Sequence, residues 1–359
     1  MSAQWGNSIK YTIFGESHGA AIGIVIDGLA PGIELDIAFI KAEMERRAPG
    51  NSPLTTPRKE KDQFEILSGY YNGKTTGAPL SVIIRNTNQR SGDYSKHDGL
   101  MRPGHADYSG YIKYKGFNDF RGGGHFSGRM TAPIVFAGAV AKQILLEKNI
   151  IIGSHIYSLL NINDFPFELN NVDSKLLSDL TKSKLPLLNK ALEQDIYKTV
   201  EEIRSEKDSV GGIIEVAAAN LPAGIGDPFF NSMESQISHL IFSIPGIKGI
   251  EFGEGFNITK MKGSEANDSY NYEGDKVTTS SNHNGGILGG ITNGRPLIFR
   301  CAVKPTASIE KEQNTINVNT KENDIINIVG RHDPCILFRA IPVVEAVTAI
   351  AILENLTKE

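Results

Sequence analysis

The chain has 359 residues, enough for one large or two ordinary domains and for a sizeable buried core. Its 37 basic and 41 acidic side chains leave a formal charge of -4, which excludes a general polyanion binder but leaves room for a concentrated basic pocket. No apolar run approaches the roughly 18 residues needed to span a bilayer, so no membrane association is expected. Cys301 and Cys335 lack C-x-x-C spacing, and the N-terminus lacks a charged segment followed by an apolar one, so the expected compartment is the cytoplasm.

In chain order, residues 10–14 and 22–27 read as strands around a polar turn, Gly15-Glu16-Ser17-His18-Gly19. Asp36 can cap a helix whose apolar residues Ile37, Ile40 and Met44 recur at helical spacing. Pro49-Gly50 stops that helix, which leaves Arg46 and Arg47 at its C-terminal end, where the macrodipole favours cations. Residues 64–71 and 79–85 read as a hairpin around Asn72-Gly73. A helix is predicted over 132–149, with Thr131 as its cap and Pro133 in its first turn, followed by a strand over 150–160. Residues 161–189 show no clear period and read as a surface excursion, with room for a short helix and without chemistry. Helices are predicted again over 190–207, 230–243 and 341–356, and strands over 212–218, 297–303 and 325–328. The irregular alternation indicates an α+β fold with antiparallel sheets, in a single domain covering residues 1–359.

Several motifs fail on spacing or context. The run from Gly69 to Thr75 has Ser68 where a P-loop requires its first glycine, and it leads into a strand instead of a helix. The glycines from Gly285 to Gly290 lack the Rossmann spacing. Tyr108, Tyr111, Tyr114 and Phe117, interleaved with Lys113 and Lys115, have the composition of a single-strand stacking surface. The acidic balance favours an aromatic face packed on the core, so no nucleic-acid partner is expected. No histidine or cysteine pair has metal-ligand spacing, and no metal is expected.

Glycine is the outlier, at 37 of 359 residues, about 10% against the usual ~7%. His18, His105, His125, His283 and His332 lie in loops punctuated by glycine or proline, and Arg102, Arg121, Arg129, Arg331 and Arg339 recur beside them. Guanidinium forks match phosphate and carboxylate, and glycine permits close backbone approach, so the expected ligand is a small polyanion.

The blocks Gly15 to Gly19, Gly104-His105-Ala106-Asp107, Arg121-Gly122-Gly123-Gly124, Ser281 to Gly290, Lys304 to Ser308 and Gly330 to Cys335 together resemble the chorismate synthase family, in the family's order. The resemblance implies a β-α-β sandwich of helices between antiparallel sheets, assembled as a homotetramer. It implies a 1,4-anti elimination of phosphate from 5-enolpyruvylshikimate 3-phosphate to give chorismate, using reduced FMN without net redox change. It assigns His18 as the acid near the phosphate, His105 as proton donor to the reduced flavin, Asp333 as the carboxylate that deprotonates flavin N5, and Ser17 and Ser127 as proton relays. Arg47, Arg129 and Arg339 are implied for substrate, with Arg46, Arg58 and Arg102 as further candidates. Flavin contacts carry over to Ser127, Pro245, Gly246, Gly289, Lys304, Pro305, Thr306, Ala307, Ser308 and Arg331, with His125 and Phe126 in the same block.

The chain departs from the family pattern in two places. Pro53 stands where many members have an arginine associated with nicotinamide binding, so NADPH is allowed as the reductant but is not supported by this residue, and a separate flavin reductase is allowed as a partner. The run from His125 to Met130 replaces the commoner Arg-Ser-Ser-Ala-Arg-Glu, and a histidine should hold an anionic group less firmly than arginine.

Overall fold

The computed structural model describes residues 3–50, 54, 62–87, 99–328, 330 and 332–357. Two compact units can be distinguished: residues 1–137, 197–210 and 305–339 form one, and residues 138–196, 211–304 and 340–359 the other.

The first unit is built on an antiparallel five-stranded sheet in the order Gln4–Trp5, Lys10–Gly15, Ala21–Asp27, Leu80–Arg85, Phe64–Ser68. Alternate residues of its inner strands, Ile22, Ile24 and Ile26 with Leu80, Val82 and Ile84, are buried, as a period of two requires of a half-buried sheet. The register pairs Gly15 with Ile22 and Ala21 with Arg85. The turn after Gly15 therefore emerges at the sheet end where the strand Leu80–Arg85 runs out into Asn86. The helix Ile37–Arg47 begins where Asp36 Oδ1 accepts from the Ala38 and Phe39 N–H groups at 2.9 and 3.0 Å. It buries Ile40, Met44 and, at its last turn, Arg47.

The second unit carries an antiparallel sheet ordered Ile247–Phe252, Leu297–Val303, Gly212–Ala219, Ile151–Leu159, Ile162–Asn163. Its register places Glu251, Arg300, Glu215 and His155 directly opposite one another in a row across four strands. Arg300 bridges Glu251 at 3.1 Å and Glu215 at 2.8 Å, with its guanidinium 4.8 Å from the Tyr157 ring centre. His155 lies 2.9 Å from Glu215 through Nε2 and 3.2 Å from Asp164 through Nδ1. Both ring nitrogens thus face carboxylates, a setting that only an imidazolium satisfies with two donors.

The chain differs from the sequence reading in instructive places. Residues 161–189 are not a surface excursion. Phe167, Val172, Leu177 and Leu180 form a buried cluster with Ala217, Ala219 and Ile298, and the helix Ser174–Lys182 presents two of those leucines. Asp164 is buried within the same segment and accepts from the Phe165, Leu188 and Asn189 N–H groups. Asn72-Gly73 closes a small hairpin, Tyr70–Tyr71 with Lys74–Thr75, nested between the longer paired strands Phe64–Ser68 and Leu80–Arg85. The C-terminal helix is Leu337–Leu356, with Pro342 inside it and not at its start. Among the described residues, one helical stretch, Arg121–Glu147, is long and apolar enough to cross a membrane by length and composition. Of its apolar 18-residue window, 72% is buried, as in a core helix.

Burial works against a charged His155, but Asp164 and Glu215 outweigh it and raise its pKa above the ordinary value. A raised folded value means that this contribution to stability is complete below the unfolded pKa of about 6.5 and is lost as pH rises through the folded one. The melting temperature of the wild type should therefore fall more steeply between neutral and alkaline pH than that of His155→Gln. Parallel melting curves across that range would show a ring that is not charged in the folded state.

Candidate active site

The triple glycine supplies the floor of the candidate site. Gly122, Gly123 and Gly124 all have positive φ, at 60°, 83° and 53°, which side chains rarely adopt. A Cβ on Gly122 would lie 2.3 Å from His18 Cε1 and 2.8 Å from Ser17 Oγ, so the absent side chain is what admits these two groups. A Cβ on Gly123 would face Arg102 Nη2 and Ser127 Cβ, both at 3.8 Å. The Ser17 N–H donates to the Gly124 carbonyl at 3.1 Å, and His125 Nδ1 lies 2.8 Å from the Gly15 carbonyl. A carbonyl only accepts, so His125 carries its proton on Nδ1 there and ties the glycine turn to the sheet. Ser127 then caps the next helical turn, its Oγ accepting from the Arg129 N–H.

Three guanidiniums lie next to this floor, held by two carboxylates. Arg47 donates through Nε at 2.9 Å and Nη2 at 2.5 Å to Asp62 Oδ2, and through Nη1 to the Gly128 carbonyl and Thr131 Oγ1. Arg129 Nη1 binds the other oxygen of Asp62, while its Nε donates to Asn86 Oδ1 at 3.1 Å. Arg339 donates through Nε to the Arg47 carbonyl at 3.1 Å and through Nη1 to Asp333 Oδ2 at 2.8 Å. Burial works against the charge on Asp62, yet Arg47 and Arg129 outweigh it and hold the carboxyl below its usual range. Burial also brings Arg47 down to about 10, with Asp62 opposing and Arg339 and Arg129 adding to the fall. Arg47 is enclosed, at 1% exposure, whereas the Arg339 side chain keeps 23%.

Asn86 closes the circuit to the histidine. Its side-chain amide donates to the Glu16 and Gly19 carbonyls at 3.0 and 2.9 Å, and its backbone N–H to Ala20 at 3.2 Å. Asp119, held below its usual range first by hydrogen bonds from Arg121, also feels the charge of His18. His105 sits nearby in sequence to a bidentate pair in which Arg102 donates to Asp107 at 2.7 and 2.8 Å. Burial opposes ionisation of Asp107, but Arg102, and more weakly His105, lower its pKa. His105 Nε2 is 2.9 Å from Ser308 Oγ.

The remaining candidates sort by unit. Pro305, Thr306, Ala307 and Ser308 belong to the first unit, with His125 and Phe126. Pro245, Gly246, Gly289 and Lys304 belong to the second, where the Lys304 N–H donates to the Gly246 carbonyl at 2.9 Å. Pro53, Arg58 and Arg331 lie outside the described residues. Arg46 is paired with Glu43 and Arg102 with Asp107. Of the aromatic run, Tyr111 and Tyr114 are half-buried, but Phe117 is 91% exposed, so only part of it packs inward. Burial pushes both Cys301 and Cys335 up to about 12, which leaves neither as a thiolate nucleophile near neutral pH. One feature of the first unit suits a polar cofactor: Thr306 Oγ1 is buried without a hydrogen-bond partner among the described residues.

The family profile described as chorismate synthase matches residues 9–357. The chain belongs to the chorismate synthase family. It is 44% identical to the chorismate synthase of Methanocaldococcus jannaschii over 367 residues, covering 99% of this chain and 96% of the relative. It is 42% identical to that of Dehalococcoides mccartyi over 360 residues, with the same coverages. A crystal structure of chorismate synthase superposes with a TM-score of 0.77 at 29% identity, covering 99% of this chain and 93% of that one. The α+β fold with antiparallel sheets is thereby that of the family.

Asp62 and Asn86 were not singled out by sequence reasoning. Neither lies in a glycine- or histidine-rich block, and only the strand register and the buried guanidiniums disclose them. Gly122→Ala should force the imidazole of His18 aside and lower turnover by about 100-fold, the scale of a misplacement near 1 Å. Circular dichroism should stay native; full turnover in a folded variant would show that this turn does not confine His18.

Proposed function

We propose that the chain eliminates phosphate from 5-enolpyruvylshikimate 3-phosphate to give chorismate, the shikimate-pathway step toward aromatic amino acids, with reduced FMN required but not consumed. It works in the cytoplasm as a homotetramer of single-domain subunits, and a separate flavin reductase supplies the reduced cofactor. The observation that supports this reading best is the unbroken chain of hydrogen bonds from Asp333 through Arg339, Arg47, Asp62, Arg129 and Asn86 to the Ser17–His18 turn. It joins a candidate proton acceptor, three cations and a candidate proton donor.

The substrate carries a phosphate and two carboxylates. Arg47, Arg129 and Arg339 meet these anions, Arg47 being the most enclosed of the three. Fixed guanidiniums neutralise the ligand and orient it for an elimination whose leaving group departs as an anion. His18 donates a proton to the departing phosphate. Ser17 and Ser127, on either side of the glycine turn, relay protons. His125, Phe126, Ser127, the Lys304 to Ser308 segment, Pro245, Gly246, Gly289 and Arg331 are the residues that the family resemblance implies would hold reduced FMN, which when bound would supply electron density for C–O cleavage and an acceptor for the substrate hydrogen. His105 Nε2, beside Ser308, keeps the proton that sets the flavin's charge state, and Asp333 takes up the proton released as the cycle closes.

Anaerobic incubation with reduced FMN and substrate should release phosphate and chorismate in equal amounts. Absence of both from a folded sample defeats the reading, and stoichiometric loss of reductant would instead indicate a true flavin oxidoreductase. His105→Ala and Asp333→Ala should each lower turnover by about 100-fold or more while leaving substrate and flavin affinity within about tenfold, as expected of groups that move protons. Equal losses of affinity and turnover would make them binding residues.

A further inference from the structure

We propose that Asn86 is a positioning residue for this reaction: it sets the distance between the Arg129 guanidinium and the turn that carries Ser17 and His18. The inference rests on the function proposed above, in which Arg129 holds an anion and His18 protonates the leaving group.

The argument begins with the sheet. Asn86 follows the last residue of the strand Leu80–Arg85, whose pairing with Ala21–Asp27 is complete at Ala21 and Arg85. Its N–H donates to the Ala20 carbonyl, which extends that ladder by one bond into the turn. The backbone of Asn86 is therefore as well determined as the strand itself, and its side chain leaves a fixed base.

An amide has two faces of opposite sense, and both are used. Nδ2 spends its donors on the Glu16 and Gly19 carbonyls, bracketing Ser17 and His18 at 3.0 and 2.9 Å. Oδ1 accepts from Arg129 Nε at 3.1 Å. No other side-chain type of this size offers two donors and an acceptor in one plane: aspartate lacks the donors, and serine lacks the reach. Asp62 fixes the far side of the same guanidinium through Nη1, and the Arg85 carbonyl approaches Nη2 at 3.4 Å. Arg129 is thus oriented from three directions, and the Asn86 contact refers that orientation to the histidine turn.

Asn86 bonds to the backbone of the turn and to Arg129 Nε, so its effect on the reaction runs through both. Asn86→Asp keeps an acceptor for Arg129 Nε but removes both donors to the turn and sets a carboxylate against two carbonyls. It should leave the KM for substrate within about threefold while kcat falls about 10- to 100-fold, the penalty of a donor displaced by part of an ångström. Reduced-flavin affinity should not change, and amide hydrogen exchange in the peptide spanning residues 15–20 should speed up. Asp62→Asn is the counterpart: it loosens the guanidinium while sparing the turn, and should raise KM more than it lowers kcat.

The wild type is assayed alongside. No phosphate release from it sinks the function itself, whereas an active wild type with an unchanged kcat in Asn86→Asp sinks only this inference. Loss of melting temperature with kcat, KM and flavin affinity all impaired in proportion also overturns it, since that marks a merely structural residue. Should Asn86→Asp fail to fold, Asn86→Gln decides by the same measures: it keeps all three groups one methylene further out, and a reduced kcat at constant KM supports the assignment, while an unaltered kcat refutes it.

Discussion

Two guanidiniums buried side by side repel each other, and the first unit depends on how that repulsion is answered. Asp62 divides its oxygens between Arg47 and Arg129, so that one enclosed carboxylate holds two cations in one plane of contact. Breaking a buried ionic arrangement by removing one partner costs about 3–5 kcal/mol, because the remaining charges have nowhere to go. With Arg339 and Asp333 added, three guanidiniums face two carboxylates, which leaves the group cationic in a chain whose overall charge is -4. Positive charge is concentrated at this cluster, the place the proposed function assigns to a polyanion.

Glycine plays the complementary part. The guanidiniums need a neighbour that brings backbone and imidazole close, and Gly122 does so by leaving out a Cβ that would fall 2.3 Å from His18. The same economy of space appears at Gly289, where the position is open, and at Gly124, whose carbonyl receives the Ser17 N–H. Clusters of glycine that look like loop filler in a composition count are here positions at which polar side chains approach the main chain.

The second unit places its charges differently. Glu251, Arg300, Glu215, His155 and Asp164 alternate in sign, so each is satisfied by its neighbours within a sheet. Nothing in this row is catalytic in the proposed mechanism. Its pairing across strands gives the sheet a register that an apolar row would leave less tightly specified, since a slip would strand several buried charges.

Local order was legible in the sequence. The helix after Asp36, the strands on either side of the Ser17–His18 turn and the paired strands near 64 and 85 follow from caps, periodicity and alternation, which act over a few residues. The glycine, histidine and arginine blocks named the family and the chemistry. The sequence could not disclose that Asp62 belongs between Arg47 and Arg129, that Asn86 joins Arg129 to the histidine turn, or that residues 161–189 bury Asp164 and a leucine cluster. Each of these depends on which distant strand lies alongside, and a carboxylate or an amide carries no local mark of the partner it will meet. Chain-local forces choose the elements; only the tertiary register, set by burying apolar faces and pairing buried charges, decides which polar side chains share a site.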